Sequence, residues 1–153
     1  MILYRICKEK HCNDLAKGAE LVGGRWNSKG IAVIYASENI ALCTAEVAVH
    51  VPLGIMPEDY VLVTISVAEN SVWELNEQDL PADWFIFPHP SSTQEIGNAF
   101  VSDGKYFMLK VPSAVVPGEF NYIINPAHPE AKSLRVQEVR PYRFDKRLFK
   151  SKK

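Results

Sequence analysis

At 153 residues, with 47% hydrophobic and 23% charged side chains, the chain has the length and composition of one globular domain that buries its own core. A formal charge of −1 excludes a global electrostatic footprint for nucleic acid, and no apolar run approaches the ~20 residues that cross a bilayer. Three cysteines, Cys7, Cys12 and Cys43, stand in a chain that opens without a positively charged, apolar leader, which predicts reduced thiols in a cytoplasmic protein.

The first predicted element is a strand over 2–7. His11 stands between Cys7 and Cys12, but no second Cys or His pair follows at zinc-site spacing, so no metal is expected. A second strand is read at 31–36, a short apolar run after Gly30. Ser37 can then cap a helix from about Glu38 to His50, where Ile40, Cys43, Val47 and Val51 recur at helical spacing. Tyr60 to Val67 is β-branched and reads as a buried strand, and Ser92 with Glu95 has the pattern of a capping box opening a helix that reaches about Val101. Strands are expected again at 106–111, 120–124 and 134–139, bounded by Gly, Pro and Asn. Two main helices against about six strands predict an α+β fold, one compact domain with a mixed, strand-rich sheet. The lysines and arginines near the end read as a solvated tail.

Within this frame a few residues invite chemistry, each beside a plainer alternative. In Gly23-Gly24-Arg25-Trp26-Asn27 adjacent glycines permit close approach of the main chain to a ligand, and Arg25 offers a fork that grips phosphate or carboxylate. The alternative is a loop whose Arg forms a surface ion pair and whose Trp packs on the core. Tyr35, at a strand end, can stack on a heterocycle or serve as a core tyrosine. Glu46 interrupts the apolar run 41–51, so its carboxylate must be paired, exposed at a cleft, or costly; it can also sit on the solvated helix edge beside His50. His50 itself reads as a helix-end residue rather than a base. Ser113 lacks a Gly-x-Ser-x-Gly elbow and is not read as a nucleophile. Asn121 and Asn125 flank a strand, Asn125 before Pro126 fitting an Asx turn, and His128 reads as structural. Trp73, Trp84, Phe85 and Phe87 stand as core or interface residues.

In their order, ILYRI, GGRWNSKGIAVIYAS, ALCTAEVAVHV, VPSAVVPGEFNYIINPAHP and DKRLF resemble the RES domain family, the toxin half of bacterial RES–Xre toxin–antitoxin pairs. The motifs span nearly the whole chain, although 70–89 carries none of them. The resemblance implies a RES-type catalytic domain over 1–149 followed by a basic tail at 150–153, and a fold similar to the ADP-ribosyltransferases. It also implies an activity that degrades NAD, and a cognate Xre-type helix-turn-helix antitoxin as partner; the near-neutral charge and the short apolar runs leave no direct role expected for nucleic acid or membrane. Carried over residue by residue, it implies a site of Arg25, Tyr35, Glu46 and Ser113, with Asn125 joining Arg25 and Tyr35 in substrate binding. NAD would be the substrate and no cofactor is expected. Glu46 would stabilise positive charge on the ribose, Arg25 would hold the pyrophosphate, and Ser113 would orient rather than attack. The acceptor is left open between water and inorganic phosphate. The alternatives are mono-ADP-ribosyl transfer to a macromolecule and a non-catalytic nucleotide-binding module; a ribonuclease using His50 or His128 is a weaker one.

Overall fold

The computed structural model describes residues 1–150. In chain order its strands are β1 (Ile2–Lys8), β2 (Ile34–Ser37), β3 (Tyr60–Ser66), β4 (Val72–Glu74), β5 (Met108–Pro112), β6 (Phe120–Ile124) and β7 (Arg135–Pro141), and its α-helices are α1 (Lys17–Val22), α2 (Ile40–Ala48) and α3 (Ser91–Asp103). All seven strands join one mixed sheet in the order β4-β5-β6-β2-β1-β3-β7, parallel only between β4 and β5. The α+β expectation of one domain with a strand-rich mixed sheet matches this architecture.

The sheet forms where aliphatic and β-branched residues crowd. β1 and β3 pair along their full length, from Ile2 opposite Ser66 to Lys8 opposite Tyr60. On one face Leu3, Val61, Val63, Ile65, Met108 and Ile124 bury against Leu15, Ala16 and Phe107. On the other, Leu109, Val111 and Ile123 pack with Phe100 of α3, Trp26 and Trp84, while Ile6 and Leu62 pack with Cys43 of α2, Phe144 and Phe149. At about 25 cal/mol per Å² of apolar surface, such clusters supply the main driving force for folding.

Several local expectations need correction. Helix α2 spans Ile40–Ala48, and its cap is Asn39, whose Oδ1 accepts from Leu42 N at 2.7 Å; Ser37 is the last residue of β2. The expected capping box is absent, because α3 starts at Ser91 behind Pro90 with no side-chain cap, and Ser92 Oγ instead donates to Asp83 Oδ1 at 2.9 Å. The run 31–36 contributes to β2 only from Ile34. Helix α1 and strand β4 leave no sequence signal: six residues containing a glycine and three residues containing a tryptophan are too short to establish a period. β7 is exposed along its whole length, as suits a sheet edge carrying Arg135, Glu138 and Arg140. Of the basic tail, 151–153 lies outside the described residues.

Candidate functional site

Strands β1 and β2 meet at a single register pair, Tyr4 with Ser37. Beyond it they part, and a cavity of about 940 Å³ opens there, lined by residues of β1, β2, α2 and the loop after α1. Arg5, Arg25, Tyr35, Glu46 and Asn121 all line it.

Glu46 lies near the end of α2, and its Oε1 accepts from Ser113 Oγ at 2.8 Å and from Asn121 Nδ2 at 2.6 Å. Both donors are themselves fixed. Ser113 Oγ accepts from Val115 N and Val116 N at 3.1 and 3.0 Å, so its one hydrogen is committed to the carboxylate. Sheet register sets Ser37 opposite Asn121, and Ser37 Oγ donates to Asn121 Oδ1 at 2.6 Å, which turns the amide NH₂ toward Glu46. Among the described residues nothing donates to Glu46 Oε2. The carboxylate is therefore held by one oxygen and offers the other.

The Arg25 loop is organised by Tyr35. The Tyr35 hydroxyl donates to Asn27 Oδ1 at 2.6 Å and accepts from Trp26 N at 3.0 Å, and burial keeps its pKa well above the ordinary phenol range, so it stays protonated. A Cβ on Gly24 would fall 2.6 Å from that hydroxyl. The close approach that glycine permits here is thus to a phenol of the chain, which corrects the expectation of a ligand at that point. With its hydroxyl committed, Tyr35 can present to the cavity its ring alone.

Arg25 NH1 donates to Trp84 O at 2.7 Å and Ile86 O at 2.9 Å. Burial lowers its pKa and the charge of Glu46 acts in the opposite sense. The alternative of a surface ion pair is not met among the described residues; Arg25 fastens the 84–86 segment at the cavity mouth. Arg5, which sequence reasoning passes over, also lines the cavity: NH1 donates to Tyr35 O at 2.8 Å, while Nε is buried with no hydrogen-bond partner among the described residues. Its signal was there to read, a guanidinium inside the apolar strand Leu3-Tyr4-Arg5-Ile6-Cys7. An unpaired buried donor is costly unless an acceptor arrives.

At the rim stand His50, His89, Phe85 and Phe87, the last 72% exposed. Burial, then the nearby Arg25 and His50, lower the pKa of His89. Trp84 is buried in the core and Trp73 stacks on Tyr106, ring centroids 6.1 Å apart, so the aromatic group read from the sequence divides between core and rim. Among the described residues no group of three His, Cys, Asp or Glu could hold a metal ion. Cys7, Cys12 and Cys43 are free thiols, and burial pushes the pKa of Cys43 up to about 11.

The model of the RES domain family matches residues 2–146. The chain belongs to the RES domain family. It is 37% identical to "Toxin Res" of Photorhabdus laumondii with all of both chains covered, and 34% identical to "Toxin Res" of Yersinia enterocolitica over 97% of this chain and 99% of that one. It is also 35% identical to the "Prs ADP-ribosylating toxin" of Sphingobium sp., covering 87% of this chain and 84% of that protein. The toxin chain in the crystal structure of the M. tuberculosis MbcT-MbcA toxin-antitoxin complex superposes with a TM-score of 0.75 over 97% of this chain and 86% of that one; at 23% identity this shows a shared fold.

Of the residues that the RES resemblance carried over, the structure brings Arg25, Tyr35 and Glu46 to one cavity and binds Ser113 to Glu46. It does not bring Asn125 there. That side chain is 1% exposed, its Oδ1 accepts from Ala127 N at 3.0 Å in the expected Asx turn, and Asn121, four residues earlier, is the asparagine that reaches Glu46. His128 also keeps its structural part, Nδ1 accepting from Glu130 N at 3.1 Å.

Proposed function

We propose that this RES domain is a toxin that cleaves the nicotinamide–ribose bond of NAD, and the observation that carries the reading is the carboxylate of Glu46, a cavity-lining residue fixed through Oε1 with no donor to Oε2 among the described residues. When the glycosidic bond breaks, its electron pair goes to the cationic pyridinium, so nicotinamide leaves neutral without a general acid. Positive charge builds on the ribose C1′ and ring oxygen, as in glycoside hydrolysis. A preorganised anion stabilises that charge without reorganising at the moment of reaction. Ser113 and Asn121 are the positioning donors.

Two guanidiniums, Arg5 and Arg25, face the same cavity and suit the pyrophosphate. The Tyr35 ring supplies a face for the nicotinamide riboside end. Water or inorganic phosphate can then take the ribosyl cation, giving ADP-ribose or its phosphate. Arg25→Ala is expected to weaken binding by about 2–3 kcal/mol, a rise of roughly 30- to 150-fold in KM for NAD. Its kcat should change little, as measured by nicotinamide release. A fall in kcat at unchanged KM would move Arg25 from anchoring to chemistry.

The second reading is mono-ADP-ribosyl transfer to a macromolecule, favoured by the relative named an ADP-ribosylating toxin. NAD labelled in the adenylate separates the two: label retained on protein after a denaturing wash indicates transfer, and free ADP-ribose or its phosphate indicates NAD destruction. Running the reaction with and without phosphate identifies the acceptor. A chain that binds NAD and never releases nicotinamide would be a nucleotide-binding module. An Xre-type antitoxin is the expected partner, and co-purification with a small helix-turn-helix protein encoded beside it is the test.

A further inference from the structure

Helix α3 takes no direct part in the chemistry proposed above, yet its polar face is not solvated. Gln94 Nε2 donates to Gly24 O at 3.0 Å and Asn27 O at 3.1 Å, which uses both amide hydrogens. One turn on, Asn98 Oδ1 accepts from Ser28 N at 2.9 Å and its Nδ2 donates to Ser28 Oγ at 2.7 Å. Between them Gly97 lets the helix lie directly on the Trp26 carbonyl. These positions share one helix face by the i, i+3, i+4 rule.

We infer that Gln94, supported by Asn98, is the positioning residue that fixes the Arg25 loop for substrate before substrate arrives. Gly24, Asn27 and Ser28 are tied to α3, and Trp26 N is tied to Tyr35, so both neighbours of Arg25 are anchored. The Arg25 Cα is thereby held at the cavity edge, and its guanidinium loses little further freedom on meeting an anion. Without the clamp that ordering cost falls on the binding step.

This inference rests on NAD as the substrate, and the experiment keeps the two apart. Gln94→Met retains length and removes both donors. Expected are a rise in KM for NAD of about tenfold, a kcat within about twofold of wild type because Glu46 is untouched, and faster amide exchange at residues 24–28. In an Arg25→Ala background the same substitution should add nothing to KM, because its effect passes through Arg25. A merely structural role predicts a lower melting temperature with KM unchanged, or an effect that persists without Arg25; either result overturns the inference. If Gln94→Met does not fold, Gln94→Asn, one methylene shorter, is held to the same outcomes. If the wild-type chain releases no nicotinamide, the reading of function fails, and unchanged exchange at 24–28 in the variant would independently dismiss the clamp.

Discussion

Glu46→Gln is expected to lower the rate of nicotinamide release by about 100- to 1000-fold, corresponding to roughly 2.7–4 kcal/mol of lost transition-state stabilisation, while NAD still binds. The substitution is a clean probe because of where the hydrogen bonds fall. Ser113 and Asn121 both donate to Oε1, so a glutamine can set its carbonyl there and keep both bonds. What changes is the charge and the atom offered to the cavity, an NH₂ in place of Oε2. Single-turnover release with binding measured separately by calorimetry reads the two effects. Wild-type release by this variant would remove Glu46 from the mechanism. Ser113→Ala should cost less, about tenfold, since Asn121 still orients the carboxylate. Combined with Glu46→Gln, it should add almost nothing, as expected for residues acting through one another.

The difference between Glu46 and its partners also explains how far the sequence could be read. A carboxylate in the middle of Ala41 to Val51 stands out in one dimension, because burial of an unpaired charge is so costly that a partner can be inferred before it is seen. Its actual partners are 67 and 75 residues away, and only sheet register brings them in. The sequence gives Asn121 no role beyond flanking a strand, and the family resemblance makes Asn125 a ligand; alternation along β6 points Asn121 to Glu46 of α2 and leaves Asn125 past the strand end, in its Asx turn. By its position before Glu38, Ser37 reads as a helix cap. The strand runs to Ser37, so its hydroxyl faces Asn121, and Asn39 takes the cap.

Arg25 shows a further limit. Its loop was legible as a site, but its contacts were not, since they lie on residues 84–86 in a segment where the RES motifs are silent. That segment also brings Phe85, Phe87 and His89 to the cavity mouth. The Glu46 carboxylate stands on α2, held by donors from the sheet side, and the Arg25 guanidinium stands on a loop that α3 secures; in the proposed reaction the first stabilises charge and the second grips the anion.

Gly97→Ala is the substitution expected to damage the fold most for the least added mass. A methyl group at that position would fall 1.6 Å from the Trp26 carbonyl oxygen and 2.6 Å from its carbon. Both are backbone atoms of a loop already bonded to Gln94, Asn98 and Tyr35, so neither can step aside as a side-chain tip would. The helix must lift from the loop or the loop must break those bonds. Overpacking of this kind costs about 3 kcal/mol or more, which for a chain of this length lowers the melting temperature by roughly 6–12 °C. KM for NAD should rise in the fraction that remains folded, because the displaced loop carries Arg25. Gly18→Ala is the control: it lies in α1 with nothing within 4 Å of the added Cβ, and it should be neutral or stabilising by about 0.5–1 kcal/mol. Equal melting temperatures for the two variants would mean that α3 does not bear on the loop as the structure has it.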